Sequence, residues 1–265
     1  MTQSKPVILV VSFGTSYSMS RCKTIGRIES DISKAYPDYE VKRAFTSQII
    51  IDKLKERDNL IIDNVEEALD KICADGTETL VVQPTHLMAG YEHGDVVAAL
   101  DALGGKIPHV AMGKPLLSSD EDFGKVVSAL IGAVADYDEP DTAICFMGHG
   151  TGAESNAVYA RMEGLFKAAG KDNYFISTVE PEPNFDEVVA KVKDAGFGKV
   201  MLRTLMVVAG DHATNDMSDL GDPDSFASKF KAAGIEPTCV LEGMGQIEAI
   251  RSIYVDHVAD AIAQL

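Results

Sequence analysis

Three residues stand out for the chemistry that their types permit: His149, Glu180 and His212. Each follows a short apolar run with the look of a strand. His149 comes after Ala143–Met147, Glu180 after Asn173–Ser177, and His212 after Lys199–Val208. Two imidazoles and a carboxylate suit a borderline divalent metal such as cobalt, nickel, zinc or ferrous iron. Imidazole can also exchange protons near neutral pH, its ordinary pKa being about 6.5. An open set of three ligands can surrender a metal, whereas a closed set of four thiolates would retain it. Glycines flank His149 and Gly210 precedes Asp211-His212, so the backbone can turn sharply there and leave room for a bulky, planar ligand.

Other chemistries find less support. Ser12 lacks the G-x-S-x-G surroundings of an activated serine. The loops Ser12-Phe-Gly-Thr-Ser16 and Gly148-His-Gly-Thr151 are phosphate-loop-like in composition, but no G-x-G-x-x-G and no Walker lysine follows. The four cysteines, Cys22, Cys73, Cys145 and Cys239, are scattered with no C-x-x-C pair. That pattern predicts buried, reduced thiols in a reducing compartment. A net charge of −17 repels phosphate backbones and anionic headgroups, so neither nucleic acid nor a membrane surface is an expected partner. The first apolar run, Val7–Val11, is too short for a signal peptide or a membrane span, and a cytoplasmic protein is expected.

The elements that must position these residues alternate along the chain. Strands are predicted at Val7–Val11, Glu40–Ala44, Thr79–Gln83, His109–Met112, Ala143–Met147, Asn173–Ser177, Lys199–Arg203 and Thr238–Leu241. Helical periodicity fills segments between and after them, including Met19–Ala35, Asn64–Ala74, Asp95–Leu103, Glu121–Tyr137, Ala157–Ala169, Phe185–Ala195 and Gln246–Gln264. This is an α/β pattern of parallel sheets flanked by helices, and such sheets bind ligands beyond the carboxyl ends of their strands. The order runs twice. Val11-Ser-Phe-Gly-Thr-Ser16 is echoed by Phe146-Met-Gly-His-Gly-Thr151, and Leu87-Met-Ala-Gly-Tyr-Glu-His93 by Val207-Val-Ala-Gly-Asp-His212, which implies a diverged duplication. Two similar lobes are therefore expected, 1–136 and 137–265, joined near Tyr137-Asp-Glu-Pro140. The second would carry the metal site, and its last helix would pack back on the first lobe.

At Val11-Ser-Phe-Gly-Thr-Ser16, Arg43-Ala-Phe-Thr-Ser47, Phe146-Met-Gly-His-Gly150 and Val208-Ala-Gly-Asp-His-Ala-Thr-Asn-Asp-Met217, the chain resembles the anaerobic cobalt chelatases. These are sirohydrochlorin cobaltochelatases within the class II chelatase family. Lys53-Leu-Lys-Glu-Arg57, Pro115-Leu-Leu-Ser-Ser119 and Ala232-Ala-Gly-Ile235 extend the likeness over nearly the whole chain. The resemblance implies two α/β lobes facing across an active-site cleft and insertion of Co2+ into sirohydrochlorin, or its precorrin-level equivalent, in anaerobic cobalamin biosynthesis. Cobalt would be a metal substrate, no organic cofactor is expected, and homo-oligomers occur among related chelatases. A ferrochelatase of siroheme synthesis and a non-catalytic tetrapyrrole or metal carrier are the competing readings on the same fold.

Carried over by motif, the metal-binding and catalytic set falls on His149, Glu180 and His212, with Glu182 in Pro181-Glu-Pro183 competing for the acidic role. Sirohydrochlorin bears many carboxylates, so local cations must offset the acidic surface. Arg43 and Lys53 or Arg57 are the candidates for that role. Ser12, Thr15 and Ser16 are expected to donate hydrogen bonds to the substrate, while Phe13 and Met147 pack on its ring face. His86 and His93, on the first-lobe segment that corresponds to the His212 loop, are candidates for a helper role in metal entry or substrate contact, although the strand-end position of His86 and the helical position of His93 favour hydrogen-bonded structural roles. His109 and His257 are expected to be structural or surface residues.

Overall fold

The computed structural model describes residues 5–180 and 182–265 and divides into two compact units: Met1–Ser118 with Glu248–Leu265, and Ser119–Ile247. Each is built on a four-stranded parallel sheet.

In the first unit the strands are β1 (Val7–Ser12), β2 (Glu40–Phe45), β3 (Thr79–Pro84) and β4 (His109–Met112), in the spatial order β2-β1-β3-β4. The helices are α1 (Ser18–Lys23), α2 (Ile25–Ala35), α3 (Gln48–Asp58), α4 (Val65–Ala74) and α5 (Tyr91–Asp101). The second unit repeats the order as β6-β5-β7-β8, with β5 (Thr142–Gly148), β6 (Tyr174–Thr178), β7 (Lys199–Thr204) and β8 (Glu236–Val240). Its helices are α6 (Asp120–Ala133), α7 (Ala157–Ala168), α8 (Phe185–Asp194) and α9 (Phe226–Ala232). The final helix, α10 (Glu248–Ile262), belongs to the first unit.

The reason for this order is legible in side chains. β1 and β5 are buried at every position, as a parallel strand must be when helices cover both faces of its sheet. β2, β4 and β8 keep exposed or half-buried positions and lie at the edges. Serine and asparagine start the helices where a side-chain oxygen can take an orphan backbone N–H. Ser47, Ser119, Asn184 and Ser225 do so, and Asn64 forms a reciprocal capping box with Glu67.

Three differences from the sequence reading have local causes. The helix expected over Met19–Ala35 is broken at Thr24, whose hydroxyl and N–H both turn back to the Ser20 carbonyl, at 2.6 and 3.0 Å. The first unit ends at Ser118 rather than near residue 136, because α6 packs with α7 of the second sheet and Arg203 of β7 reaches the Ala133 carbonyl. Of the four free thiols only Cys145 is buried as expected; Cys22 is exposed, and Cys73 and Cys239 are half-buried. The last helix joins the first unit through Tyr254, whose hydroxyl donates to the Thr85 carbonyl at 2.9 Å, and Arg251, which pairs with Asp31 at 2.5 Å. His257 is buried there with its Nδ1 3.0 Å from the Lys114 carbonyl, and so has a structural part.

Candidate metal and substrate site

In the second sheet, register sets the ends of the central strands level. Gly148 of β5 stands beside Thr178 of β6, and Met147 beside Thr204 of β7. The chain leaves β5 toward β6 on one side and returns as β7 on the other, so the loops separate at a topological switch point, where such sheets bind ligands. Hydrogen bonds continue past the ends of β5 and β6: Val179 N–H donates to the Gly148 carbonyl at 3.1 Å, and Glu180 N–H to the His149 carbonyl at 2.8 Å. This zipper sets Glu180 directly alongside His149.

The turn at His149 depends on its two glycines. A Cβ on Gly148 would lie 2.4 Å from Cε1 of Tyr159, and the Tyr159 hydroxyl accepts from Gly150 N–H at 3.1 Å. Gly150 has φ +88°, and a Cβ there would lie 2.5 Å from the Cβ of Glu180. Glu180, not Glu182, therefore packs against the His-Gly turn. Burial pushes the Tyr159 phenol up, which keeps it protonated under that loop.

His149 is exposed, and its Nδ1 lies 2.8 Å from the Gly150 carbonyl. A carbonyl can only accept, so Nδ1 is the donor, and in the neutral ring Nε2 is the free ligand atom. His212 begins a single wide turn of helix over Ala213–Met217, which brings Asp216 back beneath it; Nδ1 of His212 lies 2.7 Å from Oδ2 of Asp216. The carboxylate fixes the same tautomer, in the carboxylate–histidine arrangement that orients metal ligands. Short irregular turns of this wide kind are frequent at functional sites. The loop bearing His212 is itself tied down, since Met244 and Gly245 N–H donate to the Met206 and Val207 carbonyls at 2.8 and 3.0 Å.

The two rings meet edge to face with centroids 4.9 Å apart. Metal–imidazole bonds are about 2.0–2.1 Å, so this spacing is short enough for one metal to be shared by two imidazoles. Among the described residues no third His, Cys, Asp or Glu completes a metal-holding group with them. Glu180 is brought beside His149 by its backbone, but its exposed carboxylate makes no hydrogen bond among the described residues.

The remaining expected contacts fare unequally. Met147 is wholly buried in the core of the second unit, so it packs the sheet and is unavailable to a ring face. In the first unit, Ser12 is 1% exposed and its Oγ accepts from the Thr85 hydroxyl at 2.8 Å, while Thr15 is 3% exposed and braces its own turn through Tyr17 N–H. Ser16 is likewise buried. Phe13 is 47% exposed and free to meet a ligand. Arg43 is already paired, its Nε and Nη2 donating to the two carboxylate oxygens of Glu29. His86 has both ring nitrogens buried without a hydrogen-bond partner among the described residues, and it touches His93 edge to face at 6.4 Å. Asp216 and Tyr159 are the site residues that sequence reasoning missed. Only for Asp216 was there a signal, its spacing of one helical turn from His212.

With this geometry in place, likeness to known proteins carries weight. The sequence profile of the family described as Cobalt chelatase (CbiK) matches residues 6–263. This chain belongs to the cobalt chelatase (CbiK) family. A curated relative named sirohydrochlorin cobaltochelatase, from Salmonella typhimurium, is 37% identical over 258 residues, covering 97% of both chains. Another, sirohydrochlorin cobaltochelatase CbiKC from Nitratidesulfovibrio vulgaris, is 29% identical and covers all of this chain and 93% of its own. Among solved structures, one described as SirB from Bacillus subtilis with Fe3+ superposes with a TM-score of 0.68 at 15% identity, over 98% of this chain and 97% of that one. That likeness places the CbiK-family chain in the chelatase fold, as its paired parallel sheets imply. Among the described residues, no helix is long and apolar enough to cross a membrane.

Proposed function

We propose that the protein inserts Co2+ into sirohydrochlorin, and that His149 and His212 present the metal while Glu180 faces the same loop cluster. The observation that carries this reading is the pair of imidazoles 4.9 Å apart, each with Nδ1 committed to an oxygen acceptor and Nε2 left as the free ligand atom. Insertion exchanges one divalent cation for the two protons of the pyrrolic nitrogens. A two-histidine site can hold the cation loosely enough to release it to the four nitrogens of the macrocycle. Each imidazole that loses the metal becomes a base within reach of a departing proton.

Glu180 would balance charge at that moment, its carboxylate being exposed and uncommitted beside His149. Imidazoles alone do not select cobalt over nickel or zinc. The choice of cobalt, like that of sirohydrochlorin, follows the names of the relatives. We place the reaction in the cytoplasm, without an organic cofactor.

The test is turnover. Catalytic amounts of protein mixed with excess sirohydrochlorin and Co2+ should convert the absorption spectrum to that of the metallated ring many times over. A change that stops at one equivalent of protein would identify a carrier and sink the enzyme.

A further inference from the structure

Two cavities of about 610 Å³ each open in the first unit, and their charges are balanced differently. In the one beside β2, each basic residue faces a carboxylate: Arg43 meets Glu29, Lys42 meets Asp75, and Lys71 meets Asp63. The other lies behind the Ser16 turn, lined by Ser16, Tyr17, Ser18, Arg21, Arg57 and Asp58 among others. Arg57 is satisfied there, bound to Asp58 and to the Ser16 carbonyl. Arg21 differs. Among the described residues its guanidinium makes one hydrogen bond, from Nη1 to the Thr15 carbonyl at 3.1 Å, and forms no ion pair with a carboxylate. A guanidinium carries five N–H donors, so most of its capacity is unspent.

Holding that cation has a cost. Arg21 is half-buried, and burial followed by the positive charge of Arg43 lowers its pKa, with Arg57 adding to the effect and Asp58 opposing it. The cavity thus retains one unpaired positive charge in a chain whose net charge is −17. A charge placed against two like neighbours, with hydroxyl-bearing residues around it, is matched by a monoanion. A planar carboxylate fits the guanidinium fork in two-point fashion.

We propose that this cavity is a carboxylate subsite and that Arg21 receives one acidic side arm of the tetrapyrrole substrate. The proposal rests on the function given above and assigns a specificity-determining residue that the family motifs do not contain. The same chemistry would suit a free inorganic anion, and the two sources differ in competition.

The experiment uses the full chain. With Co2+ saturating, Arg21→Gln should raise KM for sirohydrochlorin about tenfold while kcat stays within about twofold, and Arg21→Lys should recover part of the loss, having charge without the fork. Circular-dichroism melting checks that both variants fold. Inorganic phosphate should compete with sirohydrochlorin in the parent protein and lose potency against Arg21→Gln. An unchanged KM in a folded Arg21→Gln overturns the proposal, as does phosphate that binds without competing. Should the parent protein fail to turn over, the enzymatic reading falls by itself. An absorption titration of sirohydrochlorin binding then decides the subsite, a Kd about tenfold weaker in Arg21→Gln upholding it and an equal Kd overturning it.

Discussion

The molecule holds two histidine pairs on the segments that follow parallel strands, and their rings are held in opposite ways. His149 and His212, after β5 and β7, stand 4.9 Å apart, and each has an oxygen acceptor on Nδ1. His86 and His93, after β3, stand 6.4 Å apart, and neither ring nitrogen of His86 has a partner among the described residues. Burial, and then the neighbouring charge of His93, pushes the His86 pKa from 6.5 down to about 4. The first pair thus has both Nδ1 atoms committed to acceptors, whereas the ring nitrogens of His86 are shielded from solvent and its charged form is disfavoured.

The strongest way to break this contrast is to remove a ligand. His149→Ala and His212→Ala should each lose more than the ~10–100-fold expected of an orienting partner, in both Co2+ affinity and insertion rate. Glu180→Gln should fall in the same direction and Glu182→Gln should not, since only Glu180 packs on the His149 turn. Near-parent rates at limiting metal in either histidine variant would remove that residue from the site. A smaller effect sharpens the contrast. Asp216→Ala leaves the His212 ring in place but frees its tautomer and rotation, and should cost ~10–100-fold in metal affinity, about 1.4–2.7 kcal/mol. Isothermal titration with Co2+ measures this, and unchanged affinity would mean that the Gly210 loop alone orients the ring.

Much of this arrangement was legible in the sequence, for identifiable reasons. Strands buried on both faces are continuous apolar runs, so β1, β5 and β7 read within a residue or two. The repeated glycine turns exposed the duplication, and both sheets share one strand order. Position after a strand, with glycine alongside, marked His149 and His212 correctly as neighbours. What failed was orientation. Met147 alternates inward on β5, and no motif records which way a strand residue points once both faces are covered. Arg43 was expected to meet a ligand, but Glu29, fourteen residues earlier in the chain, takes its Nε and Nη2 donors. The division at Ser118 was hidden because α6 is apolar enough for either unit, and its allegiance is set by α7.

The smallest effect tests the inert pair. Folded His86 takes up its proton only near pH 4, whereas the unfolded chain does so near 6.5. Between those values the unfolded state binds more protons, so stability falls as the pH drops through the window and is fully present above it. From pH 7 to pH 5 this one group should cost roughly 2 kcal/mol. His86→Leu removes the titration and also two buried polar atoms that lack partners, so the variant should match or exceed the parent at neutral pH. Urea unfolding at the two pH values reads both effects, and the parent should lose more stability than the variant on acidification. Equal losses would mean that His86 is solvated in solution. The first-unit pair would then regain access to protons and ligands, and its contrast with His149 and His212 would rest on ring spacing alone.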